Sequence, residues 1–116
     1  MKKILIVDDD PNIRDYLVSL LEDNGYATCT ANDVRHGLKI AKEEKPNLIT
    51  LDLEMPGEWG PRFYRQISQD KDLKNVPVIV ISGLSGNDYA ITKAVATLSK
   101  PFDREELLTL IKENIL

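Results

Sequence analysis

The sequence predicts an α/β domain: a doubly wound parallel sheet with helices on both faces. Three observations lead there. Short β-branched runs alternate with amphipathic stretches of helical length. Two of the runs, residues 4–7 and 76–81, are nearly continuous in apolar character rather than alternating. That is the pattern of parallel strands covered on both sides. The chain has 116 residues, 42% hydrophobic and 29% charged, with no linker, repeat or low-complexity tract. It is one domain's worth of chain, long enough to bury a core without metal or disulfide staples.

The elements follow in order. Strands are expected at residues 4–7, 27–30, 48–51 and 76–81, with a weaker one at 97–99. The first helix opens with Asp10 as cap and Pro11 at the first helical position, where no N–H bond is lost. Ile13, Tyr16, Leu17, Leu20 and Leu21 then fall on one face, and Asn24-Gly25 ends it. A second helix starts near Asn32, buries Val34, Leu38 and Ala41, and stops before Pro46. A third follows Gly60-Pro61 and turns Phe63 and Ile67 inward. A fourth, weaker helix covers about 88–96. The last begins at Asp103, with Glu106 three residues on as a capping-box-like pair, and buries Leu107, Leu110 and Ile111. Strand and helix alternate about five times, and right-handed crossovers wind them into the sheet.

Composition excludes several functions. Fifteen Lys and Arg against nineteen Asp and Glu leave a net charge of −4. Nucleic-acid affinity comes largely from cations at phosphates, so direct nucleic-acid binding is not expected. Cys29 is alone, which rules out an internal disulfide or a multi-cysteine zinc site. It is expected to be buried filling. The longest unbroken apolar run, Ile4 to Val7, is far short of the ~18 residues of a membrane span. Followed by three aspartates, it is no signal-peptide core either. These features allow a cytoplasmic setting.

Where the negative charge sits decides the chemistry. Residues 4–7 run into Asp8, Asp9 and Asp10; residues 48–51 run into Asp52, then Leu53, Glu54, Met55, Pro56 and Gly57. Residues 76–81 run into Ser82-Gly83, and 97–99 into Lys100-Pro101. In a doubly wound sheet the functional crevice lies beyond the carboxyl ends of the strands. Carboxylates, a hydroxyl and an ammonium therefore meet at one edge. Two like charges at 4 Å cost roughly 4 kcal/mol at an effective dielectric of about 20, and a hard divalent cation relieves this. Magnesium suits the set, since it takes oxygen ligands and typically uses one or two carboxylates plus a phosphate. An Asp beside such an ion can act as nucleophile toward phosphorus. Ser82 and Lys100 could then bond or neutralise the phosphoryl oxygens.

These segments, Ile-Leu-Ile-Val-Asp-Asp-Asp-Pro-Asn-Ile-Arg, Leu-Asp-Leu-Glu-Met-Pro-Gly, Val-Pro-Val-Ile-Val-Ile-Ser-Gly and Ser-Lys-Pro-Phe, resemble in order the four signature segments of receiver domains. Those are the phospho-accepting domains of two-component response regulators, and the likeness spans residues 1–116. It implies a flavodoxin-like five-stranded sheet of order 2-1-3-4-5. By position, Asp52 matches the phospho-acceptor, and Asp8 and Asp9 match the acidic pair that binds magnesium, with Asp9 the better candidate for direct contact. Glu54 matches the position whose main-chain carbonyl also binds the metal. Ser82 matches the switch hydroxyl and Lys100 the phosphate-contacting lysine, with a cis bond to Pro101. The implied function is phosphorelay signal transduction. A sensor histidine kinase or histidine phosphotransfer protein donates to Asp52. The surface of the fourth predicted helix, fifth strand and last helix then switches toward a downstream protein target. Such a domain catalyses its own phosphorylation and dephosphorylation without being a conventional enzyme. A phosphorylation-dependent dimer stays open, as do the identities of kinase and target and the presence of a fused output domain.

Two positions depart from the family pattern. Thr97 stands where receivers usually carry a switch aromatic, and the stretch between Ser82 and Lys100 is about four residues short, roughly one helical turn. Two alternatives stand beside the main reading: these departures motivate a receiver-like binding module with a vestigial switch, and Asp52 with Glu54 two residues on motivates a phosphatase with a nucleophilic Asp of the haloacid-dehalogenase type. The remaining residues are read plainly. Asp10 is a cap, His36 an ordinary residue of the second helix, and residues 70–74 a solvated helix end. Trp59 is either packing or contact surface, and Phe63 and Tyr64 supply one core residue between them.

Overall fold

The predicted runs become the strands of a single parallel sheet: β1 (Lys3–Val7), β2 (Ala27–Ala31), β3 (Leu48–Leu51), β4 (Val78–Ser82) and β5 (Ala96–Ser99). This computed structural model describes residues 1–52, 60–82 and 96–116. The strand order is β2-β1-β3-β4-β5, as the resemblance implies. Four helices accompany it among the described residues: α1 (Pro11–Asp23), α2 (Val34–Glu44), α3 (Gly60–Gln69) and α4 (Arg104–Asn114).

Alternation along the strands builds two cores. Leu5, Val7, Ile49, Leu51, Val78 and Val80 share one layer with Ala41 of α2 and Ile67 of α3. Ile4, Ile6, Leu48, Ile79, Ile81 and Leu98 share the other with Leu17 and Leu21 of α1 and Leu107 and Ile111 of α4. Because both faces are covered, polar alternation never appears in the central strands, which is why their sequences read as continuous apolar runs.

Helix ends follow local chemistry. Asp10 caps α1 by accepting from the Asn12 N–H at 2.9 Å. Gly25, at φ +89°, takes the left-handed turn beyond it. The second helix, expected to start near Asn32, is capped by Asp33: its carboxylate accepts from the His36 N–H at 2.8 Å and also meets the His36 ring. Those bonds hold the Asp33 carboxyl below the usual carboxylate range. Lys45, with φ 49°, ends α2 one residue ahead of Pro46. Asp103 caps α4 through the Glu105 N–H at 3.1 Å. Glu105 and Glu106 both lie in that first turn, where they complement the helix dipole.

Several expectations shift. Tyr16 does not join the buried face of α1; it is 45% exposed and rests its ring against Phe102, with centroids 6.1 Å apart. An amphipathic ring satisfies both the rim of the core and water. Leu38 and Leu110 are half-buried. β4 starts at Val78, not at residue 76, because the Val76 N–H is used in a turn to Leu73 and Pro77 has no N–H to give. Ala96, placed at the end of the fourth predicted helix, instead opens β5; residues 88–95 of that helix, Trp59, and the side chains of Val34, Phe63 and Tyr64 lie outside the described residues. Among the described residues, no helix is long and apolar enough to cross a membrane.

Two outcomes are expected from this packing. Ile79 is fully buried in the central sheet, so Ile79→Ala is expected to lose about 2–5 kcal/mol in urea unfolding. Cys29 is half-buried on β2, and burial pushes its thiol up to about 11. A raised pKa means the folded state holds its proton after the unfolded state has released it. The associated stability is therefore complete below the ordinary value of 9.0 and is lost as pH climbs toward about 11. The alkaline fall in unfolding free energy should accordingly be shallower in Cys29→Ala than in the wild-type chain.

Candidate functional site

Parallel pairing delivers the charged residues to one edge. Val7 lies opposite Leu51 across β1 and β3, so the next residues, Asp8 and Asp52, emerge side by side. Main-chain bonds carry the ladder one step further: the Asp52 N–H donates to Val7 at 2.9 Å and the Asp8 N–H to Ala31 at 3.1 Å. β1 and β3 are sheet neighbours but not chain neighbours, so the strand order reverses here and opens a crevice. On the far side, Ser82 ends β4 opposite Ser99 of β5, and Lys100 follows directly. The Lys100-Pro101 bond is cis, as implied.

The side chains converge. Oxygens of Asp8, Asp9 and Asp52 all lie within 4.8 Å of one another. Asp8 and Asp52 are each 3% exposed, while Asp9 is half-buried at the mouth. The Lys100 ammonium is 3.1 Å from Asp8 Oδ2 and 3.6 Å from Asp52 Oδ2. Buried carboxylates are tolerated only when paired and hydrogen-bonded, and among the described residues one ammonium stands against three acids. The donor set is all oxygen and compact, which fits a hard divalent cation such as magnesium. Asp10, the third acid of the run, is exposed and committed to capping α1. Glu54 and the Ser82 side chain lie outside the described residues, so the expectations placed on them are carried as proposals. Thr97, the position of the usual switch aromatic, is exposed on edge strand β5.

Sequence reasoning assigns Arg14 no role, yet its Nη1 donates to the main-chain carbonyl of Asp8 at 2.7 Å. The one signal available was its place six residues after Asp8, on the first helix leaving the cluster. His36, read as an ordinary helix residue, is exposed and paired with Asp33.

The comparison with known families decides the class: residues 4–112 match the model described as the response regulator receiver domain. This chain is a member of that family. Protein Rrf1 of Nitratidesulfovibrio vulgaris is 37% identical over 109 residues, which cover 94% of this chain and 79% of Rrf1. Protein PilH of Pseudomonas aeruginosa is 33% identical over 115 residues, covering 96% and 95% of the two chains. Among solved structures, the response regulator TrrA of Thermotoga maritima, in complex with Mg²⁺ and BeF, superposes with a TM-score of 0.88 at 32% identity. The superposition covers 99% of this chain and 100% of that one. The receiver is thus a signalling domain of two-component systems, and its acidic edge is built from Asp8, Asp9 and Asp52.

Lys100 pairs with two buried acids, so its removal takes one charge partner from each. Lys100→Met is expected to lower the urea midpoint by the equivalent of about 1–3 kcal/mol, measured without divalent cations.

Proposed function

We propose that this receiver, taken as one domain over residues 1–116, accepts a phosphoryl group on Asp52 from the phosphohistidine of a sensor kinase or a histidine phosphotransfer protein. A carboxylate oxygen of Asp52 attacks phosphorus as the P–N bond to the donor imidazole breaks. The product is an acyl phosphate on Asp52 and a free histidine on the donor. The observation that carries this reading is the buried Asp52 carboxylate held 3.6 Å from the Lys100 ammonium, within 4.8 Å of oxygens of Asp8 and Asp9. A nucleophile so placed is desolvated, oriented and flanked by groups that meet phosphoryl charge.

Asp8, Asp9, Asp52 and the main-chain carbonyl of Glu54 would hold magnesium. When bound, the ion neutralises charge on the transferring phosphoryl oxygens. The complex of TrrA with Mg²⁺ and BeF supports this choice of cation. Lys100 turns its ammonium to a phosphoryl oxygen, and the Ser82 hydroxyl donates to another. The phosphoryl group carries about −1.5 to −2 charge in place of the single carboxylate charge of Asp52, so the pocket gains up to about one negative charge, set farther out. Drawing Ser82 and Lys100 toward that charge pulls on the ends of β4 and β5 and biases the output surface of the fourth predicted helix, β5 and α4. Thr97 offers no ring to couple to Ser82, so the switch runs through the strand ends themselves. Hydrolysis of the acyl phosphate, aided by the same groups, resets the domain, which works in the cytoplasm on a protein target.

Incubation with acetyl phosphate and Mg²⁺ is expected to add one phosphoryl mass to the wild-type chain and none to Asp52→Asn. Undiminished labelling of the variant would remove Asp52 from the role.

A further inference from the structure

Arg14 has no part in the reading above, yet it is fastened to the acidic edge. Every polar atom of Asp8 is held. Its N–H donates to Ala31, its Oδ1 accepts from the Asp10 N–H at 2.9 Å, and its Oδ2 accepts from Lys100 at 3.1 Å. Its carbonyl accepts from Arg14 at 2.7 Å. That carbonyl belongs to the peptide joining Asp8 to Asp9. The plane of this peptide sets the direction in which the Asp9 side chain leaves the backbone. Asp9 itself is half-buried at the mouth, where packing alone constrains it least.

We propose that Arg14 is a positioning residue of the cation site: by holding the Asp8 carbonyl it aims the Asp9 carboxylate at Asp8 and Asp52. This inference rests on Asp8 and Asp9 being metal ligands. Two effects of Arg14 oppose each other. Its positive charge repels a cation, while its hydrogen bond pre-arranges a ligand. The guanidinium lines an open cleft of about 280 Å³ with Thr30, Asn32 and His36, so water and salt screen the repulsion. The hydrogen bond is short, charge-assisted and part-buried, and salt weakens it far less. Loss of an outer partner of a metal ligand generally costs about 10–100-fold in affinity. The lower end applies here, because the bond acts on the peptide and not on the ligating oxygen. Truncating Arg14 widens the cleft rather than opening a void in either core, so the fold is expected to stand.

Mn²⁺ is the probe, its free ion counted by electron paramagnetic resonance in about 0.5 M KCl, where the screening length is roughly 4 Å. Arg14→Met is expected to bind Mn²⁺ about tenfold more weakly than wild type. In the metal-free protein the amide nitrogen of Asp9, on the same peptide, is expected to move in its NMR spectrum while the urea midpoint stays near wild type. Equal or tighter Mn²⁺ binding by Arg14→Met overturns the role of Arg14. Should the Met variant fold poorly, Arg14→Lys carries the same test. It keeps the charge but loses the planar fork, so weaker binding supports the brace and wild-type binding overturns it. The underlying reading fails separately: wild type that binds no Mn²⁺, or Asp9→Asn that binds it as well as wild type, removes the cation site and this role with it.

Discussion

One lysine ammonium bridging two buried carboxylates is the contact on which the rest of the functional edge depends. Lys100 reaches Asp8 and Asp52 from the end of β5, across the width of the β4 strand. It can do so only because all five strands run parallel and end together. A parallel sheet in turn requires helical crossovers, and those crossovers cover both faces with apolar side chains. The cores of Leu, Ile and Val are therefore the frame that brings charges from β1, β3 and β5 to one place. Among the described residues one ammonium faces three carboxylates, and that imbalance suits the pocket to a divalent cation.

The opposite edge does the contrary job. There Lys3 pairs with Glu44 at 2.5 Å, the Lys3 N–H donates to Asn47 Oδ1 at 2.9 Å, and Lys2 reaches the main-chain carbonyl of Leu116. Charges at that end are matched locally, and they tie the start of β1 to the helix and strand beside it.

Much of this was legible in the sequence because its signals are local. Asp10-Pro11 marks the start of α1, and the continuous run at Ile4 to Val7 marks a strand covered on both sides. Ordered motifs placed Asp8, Asp9, Asp52 and Lys100 at one edge, where the structure brings them together. What escaped is what depends on a third dimension. Periodicity put Tyr16 on the buried face of α1, but Phe102, from another part of the chain, holds it at the rim. Either Asn32 or Asp33 has a side chain able to cap α2, and the choice was settled by the bond from the His36 N–H to Asp33. Arg14 carries no local signal of a role, and its contact with the Asp8 carbonyl depends on how α1 sits against the end of β1.

The central claim is that Asp8, Asp9 and Asp52 share a place for a divalent cation. It is tested most directly by thermal unfolding across a Mg²⁺ titration, since a ligand that binds only the folded chain must raise its stability. A saturable rise in midpoint for the wild-type chain, absent when Asp8 and Asp9 are both changed to Asn, is the predicted result. A midpoint indifferent to Mg²⁺, or an equal rise in the double variant, would contradict it.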